Sequence, residues 1–91
     1  MHRRGMPTTY PKQSNPIPAR ILFGQALRQA REKLEISQEE LAERAGLHRT
    51  YIGQVERGEK NISIGNMEHL ATAVGLSVWA MIKPPDEQES P

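Results

Sequence analysis

The chain has 91 residues, enough for one small domain with a modest core, and a formal net charge of +1. It contains no cysteine, which predicts neither a disulfide framework nor a cysteine metal site and is typical of the reducing cytoplasm. No apolar run approaches the ~20 residues of a membrane helix, and no apolar stretch follows the basic N-terminal residues as in a secretory signal.

Charge and proline divide the chain into three parts. Residues 1–20 carry a net charge of +4, residues 21–82 carry −1 and residues 83–91 carry −2. Four prolines lie within 1–18, and proline lacks a backbone donor and favours extended neighbours. We therefore predict a flexible, basic arm over 1–18, a folded domain over 19–83 and a disordered, acidic tail over 84–91.

The first predicted helix runs from about Ala19 to Leu34. Its apolar residues recur at i, i+4, i+7 and i+11, which makes a single stripe facing inward. The members of this stripe are Phe23, Leu27, Ala30 and Leu34. The pattern predicts a helix that packs one face on the core.

The second predicted helix begins after Ser37. Ser37 and Glu40 have the spacing of a capping box, in which the hydroxyl accepts a hydrogen bond from the amide three residues later. Gly46 supplies the left-handed residue that ends the helix. The helix is therefore short and closes in a tight turn.

Three more helices complete an all-α domain. The third runs from about His48 to Arg57, with Gly58 after it, and a fourth follows Ser63. A short fifth helix follows the Ser77 cap and stops before two prolines. The fourth helix is expected to turn five apolar residues inward: Ile64, Met67, Leu70, Ala71 and Val74.

Helix, tight turn and helix over Ser37 to Gly58 form the layout of a DNA-reading helix-turn-helix. The matching residues are Gly24, Arg31, the run SQEELAERAGL, the run RTYIGQVERGEKNIS and the run LATAVGLS. On these residues the chain resembles the phage-repressor-like helix-turn-helix regulators of the Cro or Xre type over about 20–82. The second run also resembles the controller proteins of restriction-modification systems. The resemblance implies a compact five-helix, lambda-repressor-like fold.

The resemblance implies that the start of the third helix contacts DNA bases. The matching positions are Arg49, Thr50 and Gln54. Arginine can donate two hydrogen bonds to guanine, glutamine can bind adenine, and threonine can pack on a thymine methyl. For Arg49, a phosphate contact or a solvated surface position remains the alternative.

Further residues are expected at the DNA backbone. Gln38 begins the second helix, where its amide and the free backbone N–H groups can hold a phosphate. His48 could contact DNA or simply be exposed, and Tyr51 is expected to donate to phosphate while its ring covers the core. The loop after the third helix adds Arg57, Lys60 and Asn61. Arg3 and Arg4 of the arm could enter a minor groove, or the arm could be a plain leader.

Two other sets of residues are assigned structural or assembly roles. The resemblance implies an ion pair between Arg31 and Glu56 that holds the third helix at its angle. Trp79 is expected to face outward and to form a two-fold interface with Val78 or Ile82; the alternative is a lid that covers the core.

These features predict a sequence-specific DNA-binding transcription regulator that acts as a homodimer on a pseudo-palindromic operator in double-stranded DNA. It would be autoregulatory or a restriction-modification controller. The alternative is an antitoxin-type module whose arm binds a protein partner. No nucleophile–His–Asp set, phosphate-binding glycine loop or metal spacing occurs, so we predict no enzyme, cofactor, metal or membrane contact.

Overall fold

The computed structural model describes residues 17–84, and five α-helices follow one another in that range. Their bounds are α1 Ala19–Lys33, α2 Gln38–Ala45, α3 Arg49–Glu56, α4 Ile64–Ala73 and α5 Val78–Ile82. Residues 17–84 contain no strand, so the all-α prediction is confirmed. The predicted arm and tail lie outside the described residues, apart from positions 17, 18 and 84.

Three serines set where helices begin. The Oγ atoms of Ser37, Ser63 and Ser77 accept hydrogen bonds from the backbone amides three residues later, at 2.9, 3.1 and 3.1 Å. Each bond satisfies one of the amides that a helix start leaves without a partner. At the end of α2, Gly46 has a φ of 70°, the left-handed conformation that glycine adopts without strain. Local sequence therefore determines α2, α4 and α5 closely.

All five helices contribute to one core. α1 packs against α3 and α5, α2 packs against α3 and α4, and α4 packs against α5. Burial of the apolar side chains that these helices turn inward is the main favourable contribution to folding. Those buried most completely are Phe23, Leu27, Leu41, Ile52, Val55, Leu70 and Met81.

Two residues predicted to face inward are exposed. Leu34 is 45% exposed because α1 ends before it and the chain reverses through Glu35, whose φ is 59°; Ile36 enters the core in its place. Ile64 is 72% exposed because it is the first residue of α4 and lies at the edge of the packed layer. Ile62, in the loop before α4, packs against the core instead. In both cases the apolar period of the sequence continues about one turn beyond the part of the helix that packs on the core.

A glycine allows α1 and α3 to cross at short range. A Cβ atom at Gly24 would overlap the carbonyl oxygen of Val55 and lie 3.0 Å from the carbonyl oxygen of Glu56. Any larger residue would push the two backbones apart. Next to this crossing, Arg20 Nε donates to the Gly58 carbonyl oxygen at 3.1 Å and satisfies a carbonyl just past the end of α3. Gly24 and Arg20 thus hold the C-terminal end of α3 close to α1.

Candidate nucleic-acid interface

Helix α3 buries one face and exposes the other. Ile52 and Val55 are fully or nearly fully buried, while Arg49 and Thr50 are exposed and Gln54 is half-buried. At about 100° per residue of an α-helix, positions 49, 50, 53, 54 and 57 fall within an arc of about 140°. The three residues predicted to contact bases therefore share the outward face of α3. His48, the N-cap of α3, is exposed at its start.

Arg31 and Glu56 form the ion pair between α1 and α3. Arg31 donates from Nε to Glu56 Oε2 at 2.7 Å and from Nη2 to Oε1 at 3.1 Å, and its Nη1 donates to the Ile36 carbonyl oxygen at 3.0 Å. Their side chains are only 13% and 4% exposed. Hydrogen bonding to Glu56 raises the pKa of Arg31 above its ordinary value, so Arg31 stays charged at any working pH.

Gln38 is tied to the same carboxylate. Its Nε2 donates to Glu56 Oε1 at 3.0 Å, so the Glu56 carboxylate receives donors from α1 and α2. The amide of Gln38, predicted to hold a phosphate, is thereby oriented before any DNA arrives. Sequence reasoning missed this bond because only the packing of α2 on α3 brings the two residues together.

Arg57 is paired with Glu59 across the end of α3. Its Nε and Nη2 donate to the two carboxylate oxygens at 2.8 and 3.3 Å, and both side chains are more than half exposed. The hydrogen bonds from Arg57 lower the pKa of the Glu59 carboxyl below its ordinary value. Lys60 and Asn61 follow in the same loop, and both are exposed. The surface at the end of α3 therefore presents the paired cation Arg57 and one further cation, Lys60.

Tyr51 is linked to α4 by a residue that the sequence did not single out. Asn66 Nδ2 donates to the Tyr51 hydroxyl oxygen at 3.2 Å, while the half-buried ring of Tyr51 packs against the core. Because the amide nitrogen only donates, the phenol proton points elsewhere. Within residues 17–84 no acceptor receives that proton. The spacing of Tyr51 and Asn66 carries no signal that could have predicted the contact.

Trp79 lies on a different part of the surface. It is 57% exposed, which favours the outward-facing position over the alternative of a lid on the core, while Val78 and Ile82 are half-buried and pack against the core. α5 packs on α1 and α4, whereas α3 packs on α1 and α2. The exposed face of α5 is therefore separate from the surface that α3 presents.

Other kinds of site find little support in residues 17–84. No group of three or more His, Asp or Glu residues is arranged there to hold a metal ion. None of the described helices is long and apolar enough to cross a membrane. Within residues 17–84, the side chains predicted to contact DNA lie on the surface formed by α2, α3 and the loop after α3.

The sequence pattern of the family described as helix-turn-helix matches residues 27–78, more than half of the chain. The protein therefore belongs to the helix-turn-helix family, and it has the all-α fold of the DNA-binding transcription regulators of the Cro and Xre type. This confirms the family resemblance found in the sequence.

Particular relatives narrow the comparison. The chain is 50% identical over 58 residues to the control protein C.BamHI of Bacillus amyloliquefaciens, covering 63% of this chain and 72% of the relative. The restriction-modification controller protein C.AhdI from Aeromonas hydrophila shares 46% identity over 65% of this chain and 89% of its own, with a TM-score of 0.62. The P22 c2 repressor, solved with a synthetic operator, shares 31% identity over 67% and 92%, with a TM-score of 0.64.

Proposed function

We propose that this regulator binds a pseudo-palindromic operator as a homodimer and that α3 reads the major groove. One observation carries the proposal: Arg49, Thr50 and Gln54 share the exposed face of a helix whose other face is anchored in the core. The similarity to the operator-bound P22 c2 repressor supports it.

The base contacts follow from the side-chain chemistry. Arg49, whose side chain has no hydrogen-bond partner within residues 17–84, donates to guanine O6 and N7, and Gln54 pairs with the edge of an adenine. Thr50, one turn before Gln54, packs its methyl group on a thymine. These three residues supply the discrimination between sequences.

The backbone contacts surround the base-reading face. Gln38 at the start of α2 contacts phosphate, and so do the loop residues Arg57, Lys60 and Asn61 after α3. The Tyr51 hydroxyl oxygen accepts a hydrogen bond from Asn66, so the hydroxyl proton is available to donate to a phosphate oxygen. His48 adds a contact at the start of α3. These contacts position the protein without reading sequence.

The dimer forms through α5. Trp79 is exposed beside the half-buried Val78 and Ile82, and an exposed tryptophan at the edge of an apolar helix marks a contact surface. A two-fold axis through this face would set two recognition helices about 34–36 Å apart, one turn of duplex.

The similarity to C.BamHI and C.AhdI supports a narrower role as a controller of a restriction-modification system. In this role the protein occupies a promoter, its own included, in the cytoplasm, and it carries out no catalytic step.

The test compares two double variants on a duplex from the gene's own upstream region and on a scrambled duplex. Arg49→Ala with Gln54→Ala removes two base contacts and should reduce the preference for the native duplex by about 30-fold or more. Arg44→Ala with Gln29→Ala makes the same chemical changes at exposed positions outside the proposed site and should leave the preference unchanged. Equal preference in both variants would show that the base-reading residues are assigned wrongly.

A further inference from the structure

A glycine stands in the middle of the recognition helix. Gly53 weakens an eight-residue helix relative to alanine, and its φ is not among the positive values found at Gly46, Gly58 and Gly75. The backbone conformation at Gly53 therefore does not call for glycine. The reason must lie in what occupies the space above it.

Two side chains occupy that space. A Cβ atom at Gly53 would lie 3.2 Å from Arg57 Nη1 and 3.7 and 3.8 Å from Gln38 Oε1 and Nε2. Gly53 itself is buried beneath them. The missing side chain thus allows a residue of α2 and the residue that ends α3 to approach one point on the helix surface.

Each of these two side chains is oriented by hydrogen bonds to a carboxylate. Glu59 accepts from Nε and Nη2 of Arg57, and Glu56 accepts from Nε2 of Gln38. Arg57 Nη1 and the second proton of Gln38 Nε2 therefore remain for another acceptor near Gly53. The Glu56 charge repels an incoming anion only weakly, because Arg31 neutralises it at 2.7 Å.

The two donors open onto a recess. It has a volume of about 260 Å³ and is lined by Arg28, Arg31, Gln38, Gly53, Glu56 and Arg57. Gly53 also lies on the outward arc of α3, one turn after Arg49. A phosphodiester of the DNA backbone has the charge and the acceptor oxygens that such donors bind.

We propose that Gly53 is a positioning residue that lets Gln38 and Arg57 converge on a single backbone phosphate. The inference rests on the proposed function, since the phosphate belongs to the DNA that α3 reads. It joins the contacts predicted separately for Gln38 and Arg57 into one phosphate site. Glu59, which opposes a purely electrostatic clamp, orients Arg57 in this site.

The test uses Gly53→Ala with Gly65→Ala as its matched control. Gly65 is also helical, and a Cβ atom there would meet nothing within 4 Å. Both variants should raise the melting temperature, because alanine is the better helix former and Arg57 is flexible enough to move aside. Only Gly53→Ala should weaken binding, by about threefold to tenfold on native and scrambled duplexes alike, since phosphate contacts carry no sequence information.

A third arm separates positioning from a direct clash with DNA. In a Gln38→Ala, Arg57→Ala background, Gly53→Ala should cause no further loss of affinity. A loss that persists in that background, or wild-type affinity of Gly53→Ala on both duplexes, would overturn the inference alone. Failure of the wild-type protein to bind either duplex would instead overturn the proposed function.

Discussion

Arg31 and Glu56 join α1 to the recognition helix through two hydrogen bonds, 2.7 and 3.1 Å long, in a setting where the carboxylate is 4% exposed. Gln38 donates a third bond to the same carboxylate. One buried side chain therefore links three helices and helps to hold α3 in place.

Replacing Glu56 by Ala should destabilise the domain by about 3 kcal/mol, because Arg31 would be left as a poorly paired, mostly buried charge. Urea unfolding measures the change. Glu39→Ala, at an exposed position of α2, is the control and should change stability little. A double variant, Arg31→Met with Glu56→Met, should lose less than Glu56→Ala alone. A cost near that of the Glu39 control would contradict the structural role of the pair.

Gly24→Ala should also destabilise, by about 1–3 kcal/mol, although alanine favours helix formation. The added Cβ would overlap the Val55 carbonyl oxygen, and neither backbone can move without opening the core. Thermal unfolding beside Gly65→Ala gives the comparison, since the latter should be neutral or stabilising. An increase in melting temperature for Gly24→Ala would mean that α1 and α3 do not cross as described.

Lys60→Ala and Arg49→Ala should weaken DNA binding in different ways. Loss of Lys60 should lower affinity equally on all duplexes and reduce the salt slope by about 1, as expected for a phosphate contact. Loss of Arg49 should cost about 1–3 kcal/mol on the native site and relax preference at one base pair. Titrations over a salt series with single-base variants of the site measure both. The same pattern for the two variants would contradict the division of roles.

Trp79→Ala should weaken the dimer without unfolding the protomer, because the side chain is 57% exposed. A central interface tryptophan contributes about 2 kcal/mol or more to binding, so the dissociation constant of the dimer should rise roughly 30-fold. Sedimentation equilibrium measures it. Ile64→Ala removes a more exposed apolar residue from α4 and should leave association unchanged. If both variants dimerise as tightly as the wild type does, the interface lies elsewhere.

Much of the fold follows from local chemistry that can be read in the sequence. The serine caps and Gly46 act within a few residues of themselves, so the starts of α2, α4 and α5 could be predicted. The exposure of Ile64 could not, because apolar periodicity does not show where the packed layer ends.

The site divides in the same way. The outward positions of Arg49 and Thr50 follow from helical periodicity and the family resemblance. The bonds of Gln38 to Glu56 and of Asn66 to Tyr51 join residues 18 and 15 positions apart. These bonds form only when the helices have packed, so no local sequence pattern predicts them. The space above Gly53 is likewise a property of three packed elements.

Sequence-specific recognition of DNA is the property on which the proposed function depends. Fluorescence anisotropy with a labelled duplex from the gene's own upstream region, against a scrambled duplex of equal length, tests it most directly when taken from low to physiological salt. We expect a clear preference for the native duplex that survives physiological salt. Equal binding of both duplexes that disappears with salt would show backbone attraction alone and would contradict an operator in that region.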